Sequence, residues 1–103
     1  MKKVIDGKRY NTEAAEVVHS WHNGYHAGDF HQCEETLYRT KKGTFFLHGE
    51  GGALSRYAIS HGNMQGAGEE LIPMTPEEAM EWLETHDGEE ALEKYFKDAI
   101  TEA

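Results

Sequence analysis

Cysteine occurs once and proline twice among 103 residues, and nowhere does the chain carry a long apolar run. A lone cysteine closes no internal disulfide and supplies no Cys pair for a zinc ribbon, so Cys33 points by default to a reducing compartment. The longest stretch of strongly apolar side chains is Phe45-Phe46-Leu47, far short of the roughly 18 residues that a membrane-spanning helix requires. Met1-Lys2-Lys3 is followed by no apolar stretch of the signal-peptide kind. These absences predict a soluble intracellular protein with no membrane partner. With 38% apolar residues, the length suits one domain and one modest core over residues 1–103.

Basic residues are also scarce, ten against nineteen acidic, for a net charge of −9. Residues 1–48 hold seven Lys/Arg and six Asp/Glu, whereas residues 49–103 hold three and thirteen, so the net charge sits in the second half. From Glu69 to Glu93 there are ten carboxylates and no Lys or Arg. Such a balance disfavours direct nucleic-acid binding and favours partners with positive surfaces.

Residues 1–48 read as β-rich. In Lys3-Val4-Ile5-Asp6-Gly7-Lys8-Arg9-Tyr10, the Asp-Gly pair suits a type I′ hairpin turn. Between Thr12 and Trp21 a capped helical turn competes with a strand, and Val17, Val18 and Trp21 suit the strand better. Glu35-Thr36-Leu37-Tyr38-Arg39-Thr40 and Thr44-Phe45-Phe46-Leu47-His48, joined by Lys41-Lys42-Gly43, form the expected central hairpin. Alternation puts Leu37 and Arg39 on one face and Thr36, Tyr38 and Thr40 on the other, while Phe45 and Leu47 oppose Phe46. Aromatics on both faces imply a sheet covered, in part, on both sides.

Residues 49–70 read as a Gly-rich irregular connection with a single helical turn over 53–58, and residues 71–103 as an edge strand followed by an acidic helical hairpin. Pro73 confines its strand to an edge. Thr75-Pro76-Glu77-Glu78 is a capping box with Pro at the first helical position, opening a helix to about His86. Asp87-Gly88-Glu89-Glu90 repeats the pattern, with Asp87 as the expected cap of a second helix whose stripe is Ala91, Leu92, Tyr95, Phe96, Ala99 and Ile100. Glu90 with Lys94 and Glu93 with Lys97 are expected i, i+4 pairs. The fold class expected is α+β: an antiparallel β-sheet with two C-terminal helices packed on one face through Trp82, Leu83, Leu92, Tyr95 and Phe96.

Five metal-ligating side chains fall within fifteen residues, His19, His22, His26, His31 and Cys33. His22, His26, His31 and Cys33 are the alternative zinc set, against a bland reading as solvated imidazoles; no HExxH or Cys-x-x-Cys signature supports them, and no cofactor is expected. Serines and Cys33 coexist with histidines, but no nucleophile elbow is present, so no catalytic residue is expected. The glycines of Gly49-Glu50-Gly51-Gly52 and Gly66-Ala67-Gly68 lack the Lys-Ser/Thr of a P-loop and read as turns. The early lysines and arginines with Tyr10, Tyr38, Phe45 and Phe46 would suit single-stranded nucleic acid, but the overall charge opposes it. The acidic stretch remains. Glu77, Glu81 and Glu84 form an i, i+4, i+7 row beside Glu78, and Glu69, Glu70, Asp87 and Glu89 extend it. First-turn carboxylates and solubility explain part of this pattern. The sharper reading is a carboxylate track that imitates nucleic-acid phosphates and docks in a basic groove of a host protein or ribonucleoprotein.

The run from Glu34 through Tyr38-Arg39-Thr40-Lys41-Lys42-Gly43-Thr44-Phe45-Phe46-Leu47-His48-Gly49-Glu50-Gly51 to Gly52 resembles a family of small, mostly uncharacterised proteins. These are encoded on phages and integrative elements, mostly of Gram-positive gut bacteria. Residues 1–12, Ser55-Arg56-Tyr57-Ala58 and the stretch from Ile72-Pro73-Met74 through Trp82 resemble it too. The chain departs from that pattern at Gly62-Asn63-Met64-Gln65-Gly66, where the family carries a tryptophan, and in its histidines between 19 and 31. The resemblance implies a mobile-element setting in a bacterial cytoplasm, within a gene class that includes anti-CRISPR and anti-restriction inhibitors. Combined with the charge asymmetry, it leads to the expectation of a non-enzymatic acidic inhibitor of a host nucleic-acid-processing complex; the alternative is a small metal-binding or regulatory module built on the 19–33 cluster.

Overall fold

The computed structural model describes residues 1–26 and 28–103. Strands β1 (Lys2–Ile5) and β2 (Lys8–Asn11) pair as an antiparallel hairpin. Asp6 and Gly7 both take positive φ, 51° and 77°, as the type I′ turn demands. The main sheet is four-stranded and antiparallel in the order β3 (Glu16–His22), β4 (Cys33–Arg39), β5 (Phe45–Gly51), β8 (Gly68–Met74). The ambiguous stretch before Trp21 is thus resolved as an edge strand. Pro73 lies opposite Phe46 on the other edge, β8, consistent with its missing donor.

The Gly-rich connection is more regular than its composition implies. Gly49 and Gly51 belong to β5, and β6 (Ile59–His61) pairs with β7 (Met64–Gly66) as a further hairpin around Gly62 at φ 62°. Residues 53–58 form turns and no helix. Glycine inside a strand signalled a loop, whereas here its missing Cβ admits a neighbour. A Cβ on Gly49 would lie 1.9 Å from the Tyr57 ring, so Tyr57 is laid flat against the sheet where any side chain would exclude it.

Helix α1 (Pro76–Thr85) starts with the full capping box: Glu78 N donates to Thr75 Oγ1 at 3.1 Å and Thr75 N donates to Glu78 Oε1 at 2.9 Å. Helix α2 spans Glu89–Tyr95, with Gly88 as its N-cap. Asp87 does not cap it. Asp87 instead takes left-handed φ, 59°, just past α1, and Gly88 N donates back to the Leu83 carbonyl at 2.8 Å, closing a Schellman motif. The second helix also stops early. Phe96 terminates α2, a 3-10 turn covers Lys97–Ala99, and Ile100 stays 40% exposed. Neither expected α2 ion pair forms; Lys94 lies instead 5.2 Å from the Tyr95 ring centroid.

Two apolar clusters follow from strand alternation. Leu37, Phe45 and Leu47 are buried with Ala79, Trp82, Leu83, Ala91, Leu92 and Phe96. On the opposite face Phe46 is buried with Tyr10 and Leu71, beneath the β1–β2 hairpin, with the Tyr38 ring stacked on Phe46 at 5.2 Å. The sheet is therefore covered on both sides at this end, as its aromatics implied.

Candidate functional site

The ten acidic residues from Glu69 to Glu93 sort by what holds each in place. Glu77 and Glu78 lie in the first turn of α1, and Glu89 and Glu90 in the first turn of α2, where the helix dipole favours negative charge. Asp87 supplies the left-handed residue of the Schellman turn, a conformation that Asp tolerates better than most side chains. Glu69 accepts from His48 Nε2 at 2.9 Å, and Glu70 is an exposed charge on edge strand β8, where charge discourages strand addition. Glu81, Glu84 and Glu93 are left. All three are exposed, and among the described residues no Lys, Arg or His side-chain nitrogen lies within 4.0 Å of their carboxylate oxygens. Glu84 sits in the last turn of α1, which contains no basic residue, so the dipole opposes it. Glu77 and Glu81 are like charges at i, i+4, which disfavours the helix by a few tenths of a kcal/mol.

Beneath this flank lies a carboxylate of another kind. Glu35 on β4 is 1% exposed and meets four polar side chains, two of which donate hydrogen bonds to it. Trp82 Nε1 donates to Oε1 at 3.0 Å and the Tyr57 hydroxyl donates to Oε2, while His86 Nε2 lies 3.3 Å from Oε1 and the Arg56 guanidinium 3.2 Å from Oε2. Each carboxylate oxygen thus accepts one hydrogen bond, and among the described residues no buried side-chain polar atom lacks a hydrogen bond. Burial, then the bond to Glu35, pushes the Tyr57 phenol well above its usual range. His86 is held by contacts to both of its nitrogens and by its ring. Its Nδ1 donates to the Trp82 carbonyl at 2.7 Å, and the ring stacks on Trp82 at 4.5 Å and meets Trp21 edge-on at 4.8 Å. Buried and bonded from both sides, Glu35 acts as a bolt joining β4, the 53–58 turns and α1.

The 19–33 cluster is not assembled into one ligand set. His19 lies under α1, its Nε2 donating to the His86 carbonyl at 2.8 Å. His22 stands at the exposed end of β3, with Gly24 N donating to its Nδ1 at 3.1 Å. His26 is exposed, and His31 contacts Asp29 at 3.4 Å while its ring lies 5.5 Å from Tyr25. Cys33 is buried on the same face as Glu35, and burial followed by the Glu35 charge raises its thiol above the usual range, away from the thiolate that metal binding requires. Asn23-Gly24, which reads as a helix breaker, ends β3, so the three- and four-residue spacings never share a helical face.

No protein-family model, curated protein or solved structure matches the chain.

Glu35, Arg56, Tyr57 and His86 did not stand out in the sequence, although a signal for Glu35 was present. Alternation along Cys33-Glu34-Glu35-Thr36-Leu37 sends Glu35 to the face of Leu37, which marks it as a buried carboxylate in need of partners. Its partners arrive from 21 to 51 positions away, and no local pattern announces them.

Proposed function

We propose that this is a non-enzymatic acidic binding protein that inhibits a host nucleic-acid-processing complex, such as a CRISPR effector, by placing the outer face of α1 and α2 in a basic groove that otherwise holds nucleic acid. The observation that carries the reading is the state of Glu81 and Glu84. They are exposed, without a cationic partner among the described residues, adjacent to further carboxylates, and placed where the helix dipole gives nothing back. The helix dipole, turn formation and edge protection account for Glu70, Glu77, Glu78, Asp87 and Glu89 individually, and these five become the margins of the same negative surface, whereas Glu69, bonded to His48 on the sheet face away from α1, stands apart from it. The Glu35 bolt and the Leu83 core fix the α1 backbone, so the ordering cost of docking is confined to the glutamate side chains. The apolar cores are filled and Glu35 is sealed, so chemistry at those groups has no place in this reading.

The test is a competition experiment. A guide-loaded CRISPR effector with a labelled target duplex is titrated with the protein at 100 and 300 mM salt. The expected outcome is displacement of the duplex that weakens at the higher salt and is abolished in the triple variant Glu77→Lys, Glu81→Lys, Glu84→Lys. Displacement that the triple variant retains at low salt rules the mechanism out.

A further inference from the structure

On the sheet face away from α1, one cross-strand row runs the full width of the sheet: His22 on β3 opposite Glu34 on β4, Glu34 opposite Glu50 on β5, and Glu50 opposite Glu69 on β8. Directly opposed like charges disfavour strand pairing, and here three carboxylates stand side by side. His48, two residues before Glu50 on β5, projects from the same face, and its Nε2 lies 2.9 Å from Glu69 Oε2. One ring nitrogen of His48 and one oxygen each of Glu50 and Glu69 lie within 4.8 Å of one another, the one such triad among the described residues.

We propose that His48, Glu50 and Glu69 form a binding site for a divalent transition-metal ion, with Zn²⁺ as its best-matched occupant. The donor set decides the class of ion. Two carboxylates alone would suit Mg²⁺ or Ca²⁺, which take oxygen ligands almost exclusively, whereas an imidazole nitrogen converging with them selects a first-row transition metal. Tetrahedral zinc with bonds of about 2.0–2.1 Å needs its ligand atoms about 3.3 Å apart, and the triad brackets that spacing, with His48 Nε2 and Glu69 Oε2 at 2.9 Å and all three ligand atoms within 4.8 Å. Their backbones are fixed by the β5–β8 ladder. Three protein ligands leave one position for water or an incoming oxygen. Glu50 and Glu69 line the rim of an open groove of about 900 Å³ bounded by Asp29, Phe30, Ile59 and Gln65, so that position has solvent access. The ion would also neutralise the row: its two charges offset Glu50 and Glu69, and Glu34 remains beside them as an outer acceptor able to orient bound water. None of these residues belongs to α1 or α2, so the site stands independently of the acidic helical surface.

The experiment is calorimetric titration of tag-free protein at pH 7 with Zn²⁺ and, separately, with Mg²⁺, paired with imidazole nitrogen NMR spectra. Zn²⁺ is expected to bind with one-to-one stoichiometry and in strong preference to Mg²⁺, shifting the His48 ring nitrogens. Glu69→Gln, at an exposed position that leaves the fold intact, and His48→Gln, its folding checked by thermal unfolding, should each weaken Zn²⁺ binding at least tenfold, whereas His22→Gln and His31→Gln should leave it unchanged. Absence of Zn²⁺ binding at 1 mM, affinity unaltered in Glu69→Gln, or shifts confined to His22, His26 or His31 would overturn the proposal.

Discussion

Trp82 Nε1 donates to Glu35 Oε1 at 3.0 Å, joining the middle of α1 to the sheet across 47 positions of sequence. A buried carboxylate is tolerable only when hydrogen-bonded and paired, and removing Glu35 strands the Trp82 and Tyr57 donors at once. Glu35→Ala is therefore expected to destabilise the fold by about 3–5 kcal/mol, and Trp82→Phe by less, since it removes one donor and keeps most of the apolar packing. Urea unfolding of the two single variants and the double variant checks this. A coupling energy near zero would mean that the pair does not act as a unit.

Gly49 tests the same bolt from the opposite side. Because its missing Cβ makes room for the Tyr57 ring, Gly49→Ala should push Tyr57 off the sheet and break its bond to Glu35. The expected loss is about 1–3 kcal/mol, the range of overpacking in a filled core. Gly62→Ala makes a useful comparison: a Cβ there meets nothing within 4 Å, so its effect should reflect only the positive φ of 62°. Equal losses in the two variants would show that the close approach of Tyr57 carries no weight.

Alkaline stability follows from the raised phenol of Tyr57. In the unfolded chain the group ionises near its ordinary value of 10, whereas burial and Glu35 keep it protonated in the fold. The folded state holds this proton more tightly, so its contribution is fully present below pH 10 and is lost as pH rises above it. The slope attributable to one such group is at most about 1.4 kcal/mol per pH unit. Tyr57→Phe should be less stable than the parent at pH 8 and lose stability more slowly between pH 10 and 11.5. Parallel stability profiles would disprove the linkage.

Local rules made much of this fold legible. The Asp6-Gly7 turn, the 35–48 hairpin and the Thr75–Glu78 capping box each depend on residues a few positions apart, and all three appear in the structure. The misread elements are those where a distant partner overrides the local signal. Gly49 and Gly51 read as loop until Tyr57 and Ser55 are seen packed onto them, and Asp87 reads as a helix cap until the Gly88 bond to Leu83 makes it the end of the preceding helix. The acidic row on α1 was visible because it is local. The His48–Glu50–Glu69 triad was not, because it exists only once β5 and β8 are in register.

The last prediction separates charge kept for stability from charge kept for a partner. Glu81 has Glu77 four residues before it and Glu84 three residues after it, both exposed. Glu81→Lys converts two like-charge neighbours into two attractive ones, in the favourable orientation with Glu77 on the N-terminal side. It should raise stability by about 1 kcal/mol, several degrees of Tm for a domain of this size. If the flank exists to be gripped by a basic partner, the same substitution weakens partner binding, and most strongly at low salt, where a neighbouring positive charge is least screened. Thermal unfolding and the duplex-displacement assay on this single variant therefore move in opposite directions. A variant that gains stability with no loss of displacement activity would show Glu81 to be an ordinary surface charge.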